Sequence, residues 1–396
     1  MTRENLVEIL NRITAPDAEM MARAEKRQAE LAKPPGSLGR LEDISVKIAG
    51  IMGELAPDIT KQAIAVMSSD NGVWEEGVAC APQSVTRAQT INFTRRLTGV
   101  GALSKNFGVD LLVTDMGVLD PIPSELYTDD AATAVRERKI WNRKIRPATD
   151  NLYKKAAMTE DEALRAIETG IEATKALKEL GYGIIGIGEM GIGNTTTSTC
   201  LLAELTGLDA APLVGKGGGL SSDGFEKKKA VVSGACERAE GELGDRKSDP
   251  IALLAQLGGF DIAAMAGAYI GAALYRIPVV IDGYISVVAA LTADRIFDFY
   301  RTIDIQEKPH ANGGFRLADF MFASHKSFER GYEVAVEALG LEPMLLLGMR
   351  LGEGSGCPIA FKVIESAVAV MRDMATFEEA AINDDYLEEI RRGDSF

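Results

Sequence analysis

Short apolar runs that end in glycine or aspartate alternate with helical segments through the middle of the chain. These runs occupy residues 63–72, 110–118, 183–191, 211–219, 277–284 and 344–354. Strands that alternate with helices predict an α/β fold with a mostly parallel sheet and helices on both faces. Ligands bind beyond the carboxyl ends of such strands, and most of these runs carry glycines or a carboxylate there. We therefore expect a small-molecule site at that edge.

The two ends of the chain are helical in pattern. Residues 1–32 have helical spacing until the Pro34-Pro35-Gly36 stop, residues 37–55 predict a second amphipathic helix, and a long helix begins near Pro358. Residues 119–155 are polar and dotted with proline, which predicts an excursion from the sheet. The most apolar stretch, 262–275, is too short to cross a membrane and predicts a tightly packed buried helix.

Composition excludes several classes of partner. The chain has 396 residues and a net charge of −15, with no basic cluster, so neither nucleic acid nor an anionic membrane surface is an expected partner. A small anionic substrate remains open, because backbone N–H groups bind anions locally. The N-terminus lacks the apolar core of a secretory signal, and we expect a cytoplasmic protein. The four cysteines have no metal-binding spacing, which predicts small buried thiols; they are Cys80, Cys200, Cys236 and Cys357.

One glycine-rich stretch invites two interpretations. Gly186, Gly188 and Gly191 spell G-x-G-x-x-G after a strand-like run, as in a dinucleotide-binding loop, and Asp209 lies where a ribose-binding acid would follow. The hydroxyl-rich helix start that comes next suits a single phosphate group better than a pyrophosphate. We therefore favour a ribose-phosphate loop, with a dinucleotide loop and a structural turn as alternatives. Its candidate residues are Gly191, Gly193, Asn194, Thr195 and Thr196.

Two further loops carry candidate ligands and a candidate base. The loop at 215–229 combines glycines with a lysine cluster suited to phosphate. The loop at 348–361 places Glu353 between two glycines, where a carboxylate in an apolar site acquires the raised pKa that a general base needs. Glu189 and Asp70 are further candidates, whereas Asp282 is favoured as a structural carboxylate.

Histidine is scarce. His310 and His325 are the two histidines of the chain, so a histidine-centred zinc site or a Ser-His-Asp triad is not expected. His325 is interpreted as a helix-start or surface residue. Acid–base chemistry then falls to carboxylates, and neither a metal nor a cofactor is predicted.

Six segments of the sequence resemble a known family. It is similar to the nicotinate-nucleotide:dimethylbenzimidazole phosphoribosyltransferases over roughly residues 30 to 375. The segments that carry the resemblance, in family order, are "KPPGSLGRLEDI" (33–44), "SSDNGVWEEGVACAPQSVTRAQ" (68–89), "GEMGIGNTTTS" (188–198), "GKGGGLSSDG" (215–224), "LGGFDIAAMAGA" (257–268) and "RLGEGSG" (350–356).

The resemblance implies a reaction and a set of roles. Ribose 5-phosphate would move from nicotinate mononucleotide to a lower-ligand base, releasing nicotinate, with Glu353 as general base and Glu189 in the active site. The loop after Glu189 would surround the ribose phosphate, together with Gly217, Gly219 and Lys228. Gln89 and the segment before it, including Ala81, would line the base pocket.

The resemblance also implies an architecture. It predicts a Rossmann-like domain at 61–355 and a smaller helical domain built from 1–60 and 356–396. A homodimer is expected, in which the N-terminal region helps to cover the site of the partner.

Some positions depart from the family pattern. Asn71, Ala81 and Ala148 stand where histidine, serine or tyrosine, and glycine are expected, and 119–135 is longer than usual. These changes are predicted to touch the side that faces the base. The alternatives are therefore a phenolic or other acceptor, or a heterodimer with a related chain. Two hypotheses from other functional classes are a non-catalytic binding subunit and an NAD-dependent dehydrogenase.

Overall fold

The strand–helix alternation folds as a single parallel sheet covered by helices. The structure is a computed structural model that describes residues 1–217, 219–304 and 314–387. The strands are β1 (Gln62–Ser69), β2 (Asp110–Gly117), β3 (Tyr127–Thr128), β4 (Ile140–Asn142), β5 (Ile184–Met190), β6 (Val279–Ile281) and β7 (Met321–Ala323). Their order in the sheet is β3-β4-β2-β1-β5-β6-β7, and every neighbouring pair is parallel. The predicted α/β class is confirmed.

Helices cover both faces of this sheet. The first ones are α1 (Arg3–Asn11), α2 (Ala18–Glu30), α3 (Arg40–Met52), α4 (Ser84–Thr94), α5 (Gly99–Phe107), α6 (Ala131–Glu137), α7 (Glu160–Glu179) and α8 (Asn194–Thr206). They are followed by α9 (Ala210–Leu213), α10 (Ser222–Leu243), α11 (Pro250–Leu257), α12 (Phe260–Leu274), α13 (Tyr284–Asp304), α14 (Tyr332–Ala338) and α15 (Cys357–Asp373). Because β1 and β5 are buried along their whole length, they read as continuous apolar runs rather than alternating ones.

The apolar stretch at 262–275 forms α12, which is buried as predicted. Gly170 of α7 and Gly267 of α12 lie against each other's helix backbones, so a Cβ at either position would strike a backbone carbonyl, that of Ala264 or of Ile167. The two glycines let the helices pack at short range. Among the described helices, none has both the length and the apolar character needed to span a bilayer.

Helices from the two ends of the chain pack together. α3 contacts both α2 and α15, and a small cluster of Ala24, Ala49 and Met371 is separate from the main core. α1 lies instead against α12 and α13. The division into domains at residues 60 and 355 stays a prediction.

The N-terminal helix prediction for 1–32 is wrong in one respect, because the segment forms two helices. The chain leaves the helical conformation after Asn11, and Pro16 disfavours a helical conformation for the residue before it. Asp17 then caps α2 by accepting a hydrogen bond from the N–H of Met20 at 2.9 Å.

Two predicted strands are absent from the described residues, and three others were missed. At 211–219, Asp209 caps the short α9 and a glycine loop follows. At 344–354 only Leu345 makes a bridge, to His325. The segment 119–155 is not an excursion, since it contributes β3 and β4 to the edge of the sheet, and β7 was not foreseen.

Two single-residue expectations are also wrong. His325 is fully buried rather than at the surface, and its Nδ1 lies 2.9 Å from the hydroxyl of Ser324. Cys80 is exposed, whereas the other three cysteines are buried as expected. His310 lies outside the described residues.

Candidate functional site

A cavity of about 570 Å³ opens at the carboxyl ends of β5 and β6. This is the edge of the sheet at which the sequence predicted a site. The predicted residues that line it are Ala81, Gln89, Glu189, Gly191, Gly193, Asn194, Thr195, Gly217, Gly219 and Glu353. Thr196, Lys228 and Asp70 are buried and are not lining residues, although Lys228 contacts the lining residue Thr195.

The first two glycines of the G-x-G-x-x-G stretch do not form a phosphate turn. Gly186 and Gly188 are interior residues of β5. A Cβ on Gly188 would lie 2.6 Å from the carbonyl carbon of Glu353, and one on Gly186 would lie 2.6 Å from the Cβ of Cys357. These two glycines therefore make room for the loop that carries Glu353, not for a dinucleotide.

The anion-binding end of the cavity lies where α8 begins. Gly193 adopts φ +99°, which turns the chain into the helix at Asn194 and places the N-terminus of α8 at the cavity. Lys228 of α10 reaches the same point, where its Nζ donates a hydrogen bond to Thr195 Oγ1 at 2.8 Å. Its side chain is buried, and burial lowers the pKa of its ammonium to about 8. An anion at this place would meet both the helix terminus and the ammonium group.

Glu353 projects into the opposite wall of the cavity. It has φ +65° and lies between two glycines that also have positive φ, Gly352 and Gly354. Its Oε1 accepts a hydrogen bond from Gln89 Nε2, and its Oε2 accepts one from the N–H of Val100 in the first turn of α5, both at 3.2 Å. Burial raises the pKa of Glu353, and these donors partly oppose that shift.

Asp282 fixes the backbone of the Glu353 loop. This carboxylate follows β6, and its oxygens accept hydrogen bonds from the N–H groups of Gly354 at 2.9 Å and Gly356 at 2.7 Å. Burial raises its pKa to about 7. The position agrees with the structural role favoured from the sequence, although Asp282 also forms part of the cavity wall.

Glu189 lies at the end of β5, beneath the Glu353 loop. Its Oε2 accepts a hydrogen bond from Asn194 Nδ2 at 2.6 Å, and its Oε1 accepts one from the backbone N–H of Glu353 at 3.4 Å. The same Asn194 nitrogen donates to Asp261 at 3.0 Å. Burial first, and the neighbouring Asp261 carboxylate second, raise the pKa of Glu189 to about 8.

Asp70 does not face the cavity. Its Oδ2 accepts a hydrogen bond from the N–H of Leu119 at 2.8 Å, and burial raises its pKa to about 6. It belongs to the layer that supports the loop after β5.

The departures from the family pattern are more scattered than expected. Asn71 lies behind the glycine loop, close to Gly191 and Gly193, and Ala148 lies outside the cavity wall with φ +56°. Ala81 alone of the three lines the cavity, and its carbonyl accepts a hydrogen bond from the indole N–H of Trp74 at 2.9 Å. Asn71 and Ala148 therefore lie outside the cavity lining, and the expectation that they face the base stays a prediction.

Several charged and polar lining residues were not singled out from the sequence. They are Lys216, Ser327, Glu329 and Arg350. Arg350 had a local signal, since it lies three residues before Glu353. Glu329 had none, because its contact with Gly215 depends on the tertiary fold. In the parts of the chain that the structure describes, no cluster of three or more acidic, histidine or cysteine side chains has the arrangement of a metal site.

Comparison with known proteins shows the family to which the chain belongs. A family model described as "Phosphoribosyltransferase" matches residues 13–306 and 310–382. A relative from Clostridium perfringens is 48% identical over 98% of each chain, and one from Ruminiclostridium cellulolyticum is 45% identical over 95% of this chain and 97% of the relative. Both are named nicotinate-nucleotide–dimethylbenzimidazole phosphoribosyltransferase. The crystal structure of CobT from Thermus thermophilus is 34% identical with a TM-score of 0.80, covering 92% of this chain and 99% of that one.

These matches, together with a cavity lined by a helix N-terminus at one end and by carboxylates at the other, define the class of the protein as a phosphoribosyltransferase. The extent of the match rules out the dehydrogenase reading, which rested on three glycines. Within the class, the chain belongs to the nicotinate-nucleotide–dimethylbenzimidazole phosphoribosyltransferase family.

Proposed function

We propose that the chain transfers ribose 5-phosphate from nicotinate mononucleotide to 5,6-dimethylbenzimidazole or a similar lower-ligand base, giving an α-riboside 5′-phosphate and nicotinate for cobamide synthesis. The observation that carries this proposal is one cavity with two chemically different ends. The start of α8 with Lys228 suits a terminal phosphate, and the carboxylate of Glu353 suits an aromatic N–H. The relatives are named for this transfer.

Glu353 acts as the general base in this proposal. The incoming base attacks the ribosyl carbon with one ring nitrogen while its other nitrogen loses a proton to Glu353. When the bond between the ribosyl carbon and the ring nitrogen breaks, its electron pair passes to the nitrogen and neutralises the cationic ring. The nicotinate leaving group therefore needs no protonation. Burial raises the pKa of Glu353 and strengthens it as a base, while the hydrogen bonds from Gln89 and the α5 terminus partly stabilise its ionised form.

The phosphate end supplies binding energy rather than chemistry. Thr195, the glycine loops and Lys228 hold the end of the substrate that does not react, which aligns the ribosyl carbon with the acceptor. The buried Lys228 has little conformational freedom to lose when the phosphate binds. We propose the same role for Gly191, Gly193, Gly217 and Gly219, whose backbones line that end.

The acceptor is tested by product identification. Purified protein is incubated with nicotinate mononucleotide and a mixture of benzimidazoles, purines and phenols, and products are identified by mass spectrometry. The proposal expects benzimidazole ribotide as the dominant product. Ala81 makes its part of the wall small and apolar, so phenols are the second candidate acceptors, and exclusive phenol ribotide would overturn the benzimidazole assignment. Inactivity of the purified single chain would instead support a non-catalytic subunit.

We propose that a second copy of the chain covers an apolar surface beside the cavity. The surface consists of Leu97, Phe328, Leu346, Leu347 and Leu351, each more than half exposed, and Leu351 also lines the cavity. Exposed apolar side chains in one area are typical of protein–protein interfaces. Light scattering after size exclusion is expected to give a homodimer, and the double variant L346D/L347D a monomer. A dimer that persists in this variant would move the interface elsewhere.

We also propose a cytoplasmic location. Nicotinate mononucleotide is charged, and moving a charged group through an apolar phase is costly, so an enzyme that uses it benefits from sharing the compartment in which it is made. Cell fractionation with an antibody against the chain tests this.

A further inference from the structure

Glu189 and Asp261 form a buried pair of carboxylates that shares one donor. Asn194 Nδ2 lies 2.6 Å from Glu189 Oε2 and 3.0 Å from Asp261 Oδ2, so both hydrogens of one amide go to the two acids. Both side chains are almost or fully buried. In the described part of the chain, neither carboxylate forms an ion pair with a lysine or arginine.

Further charges around this pair are also negative. Asp282 adds negative charge beside Glu189 from the loop after β6, and Asp70 adds it beside Asp261 from the end of β1. Two buried carboxylates this close, without a cation, do not both ionise near neutral pH. One of the pair therefore keeps a proton.

The environment decides which acid keeps it. Asp261 lies in the first turn of α12, where the helix terminus favours a negative charge. Glu189 lies at the end of a strand, has no helix terminus of its own and lines the cavity. The pKa values follow this order, with Glu189 raised to about 8 and Asp261 raised to about 7, burial being the main cause for both.

We infer that Glu189 is held as a neutral carboxylic acid that donates a hydrogen bond to the bound nucleotide, and that Asp261 is the positioning residue that keeps it so through Asn194. Both oxygens of Glu189 already accept N–H groups, so its own O–H is left for an acceptor in the cavity. Glu353, with its donors at the α5 terminus, remains the ionised partner. This assignment rests on the proposed function, since it names the state of a second acid in the same site.

The first test separates a neutral donor from an ionised base. Glutamine is a neutral donor of similar shape that gives up one of the two hydrogen bonds that Glu189 accepts, so Glu189→Gln should stay within about tenfold of wild-type kcat/KM at neutral pH, whereas loss of a general base costs about 10²–10⁴-fold. The alkaline limb of the wild-type kcat profile at saturating nicotinate mononucleotide, expected near pH 8, should vanish in this variant, whereas loss of the Lys228 charge affects KM. A loss above a hundredfold with an intact fold, or a wild-type profile without that limb, would overturn the inference.

The second test addresses Asp261. Replacing Asp261 by asparagine removes the like charge and retains the shape, so the pKa of Glu189 falls and the alkaline limb should move to lower pH by about one unit. The acid limb, set by Glu353, should not move. Asp249→Asn is the matched control, because Asp249 also serves the N-terminus of a helix, α11, away from the cavity, and it should leave both limbs in place. An unmoved alkaline limb in active Asp261→Asn refutes the positioning role.

A spectroscopic readout keeps the inference testable if Asp261→Asn does not fold. Infrared difference spectra between wild type and Glu189→Gln at pH 7 should contain the C=O stretch of one protonated carboxyl group, which disappears above pH 8. Absence of this band would contradict a neutral Glu189. Failure of the proposed function is a different result, in which wild-type protein yields no ribotide from nicotinate mononucleotide while the infrared band is still measured.

Discussion

Replacing Glu353 by glutamine tests the central residue of the site with a small structural change. The Val100 N–H can keep its bond to the glutamine oxygen, but the new NH₂ group would then face the donor Nε2 of Gln89. Relief requires the Gln89 amide to turn, which gives up the hydrogen bond that its oxygen accepts from Asn92 Nδ2 at 3.2 Å. One lost hydrogen bond costs about 1 kcal/mol of folding stability. The fold should therefore survive.

The chemical effect should be much larger than the structural one. Loss of a general base lowers the rate by about 10²–10⁴-fold, which corresponds to about 3–5 kcal/mol of transition-state stabilisation. The assay is ribotide formation from nicotinate mononucleotide and dimethylbenzimidazole, with substrate affinity measured separately by calorimetry. Affinity should change little while kcat falls.

A matched control distinguishes the role in the cavity from the loss of one carboxylate. Glu365 of α15 accepts a hydrogen bond from the amide of Gln62 at 2.7 Å, which reproduces the amide–carboxylate contact of Glu353 outside the cavity. Glu365→Gln should lose a similar amount of stability and retain full activity. If Glu353→Gln stays within tenfold of the control, Glu353 is not the base.

Three further substitutions probe the phosphate end, the strand glycines and an unfavourable backbone position. Lys228→Met should raise the KM for nicotinate mononucleotide without displacing Thr195. In the wild type, the KM should rise above pH 8, because the ammonium group of Lys228 loses its proton. Steady-state kinetics measured against pH checks both results, and an unchanged KM would contradict the phosphate assignment. Gly188→Ala should cost about 1–3 kcal/mol in urea unfolding and most of the activity, because its methyl group strikes the backbone of Glu353; full activity would refute this contact. Ala148→Gly should stabilise the fold by about 0.5 kcal/mol in the same assay without changing kcat, since glycine removes the strain of φ +56° at some entropic cost; destabilisation would be the contrary result.

The long central strands were predictable from the sequence, because a strand that is buried on both faces of a sheet has a continuous run of apolar residues. β1, β2 and β5 were recognised for this reason. The strand predicted at 344–354 was wrong, because apolar composition indicates a tendency to be buried and not the presence of a hydrogen-bonding neighbour strand. Leu346 and Leu347 are among the most exposed apolar side chains of the described residues. β4 was missed, because three residues beside a charged stretch are too few to show the alternation of a strand.

The site was predictable where motifs are local and unpredictable where partners are distant in sequence. Glu353 and the loop after β5 stand out because glycines flank them. Asp261 gave no such signal, since its hydrogen bond to the site comes from Asn194, 67 residues earlier in the chain. Its importance depends on helix α12 delivering a carboxylate beneath the loop, which no local pattern records.

The glycines of β5 show how the fold and the chemistry depend on each other. A non-glycine residue with positive φ is costly, and Glu353 keeps this conformation because two backbone hydrogen bonds to Asp282 hold the loop after it. That loop can approach the sheet only where β5 has no side chains, at Gly186 and Gly188. The same strand then ends in Glu189, whose carboxylate receives the backbone N–H of Glu353. A stretch that spells a nucleotide-binding turn thus supports the loop that carries Glu353, and the helix terminus that follows is the place proposed for the phosphate.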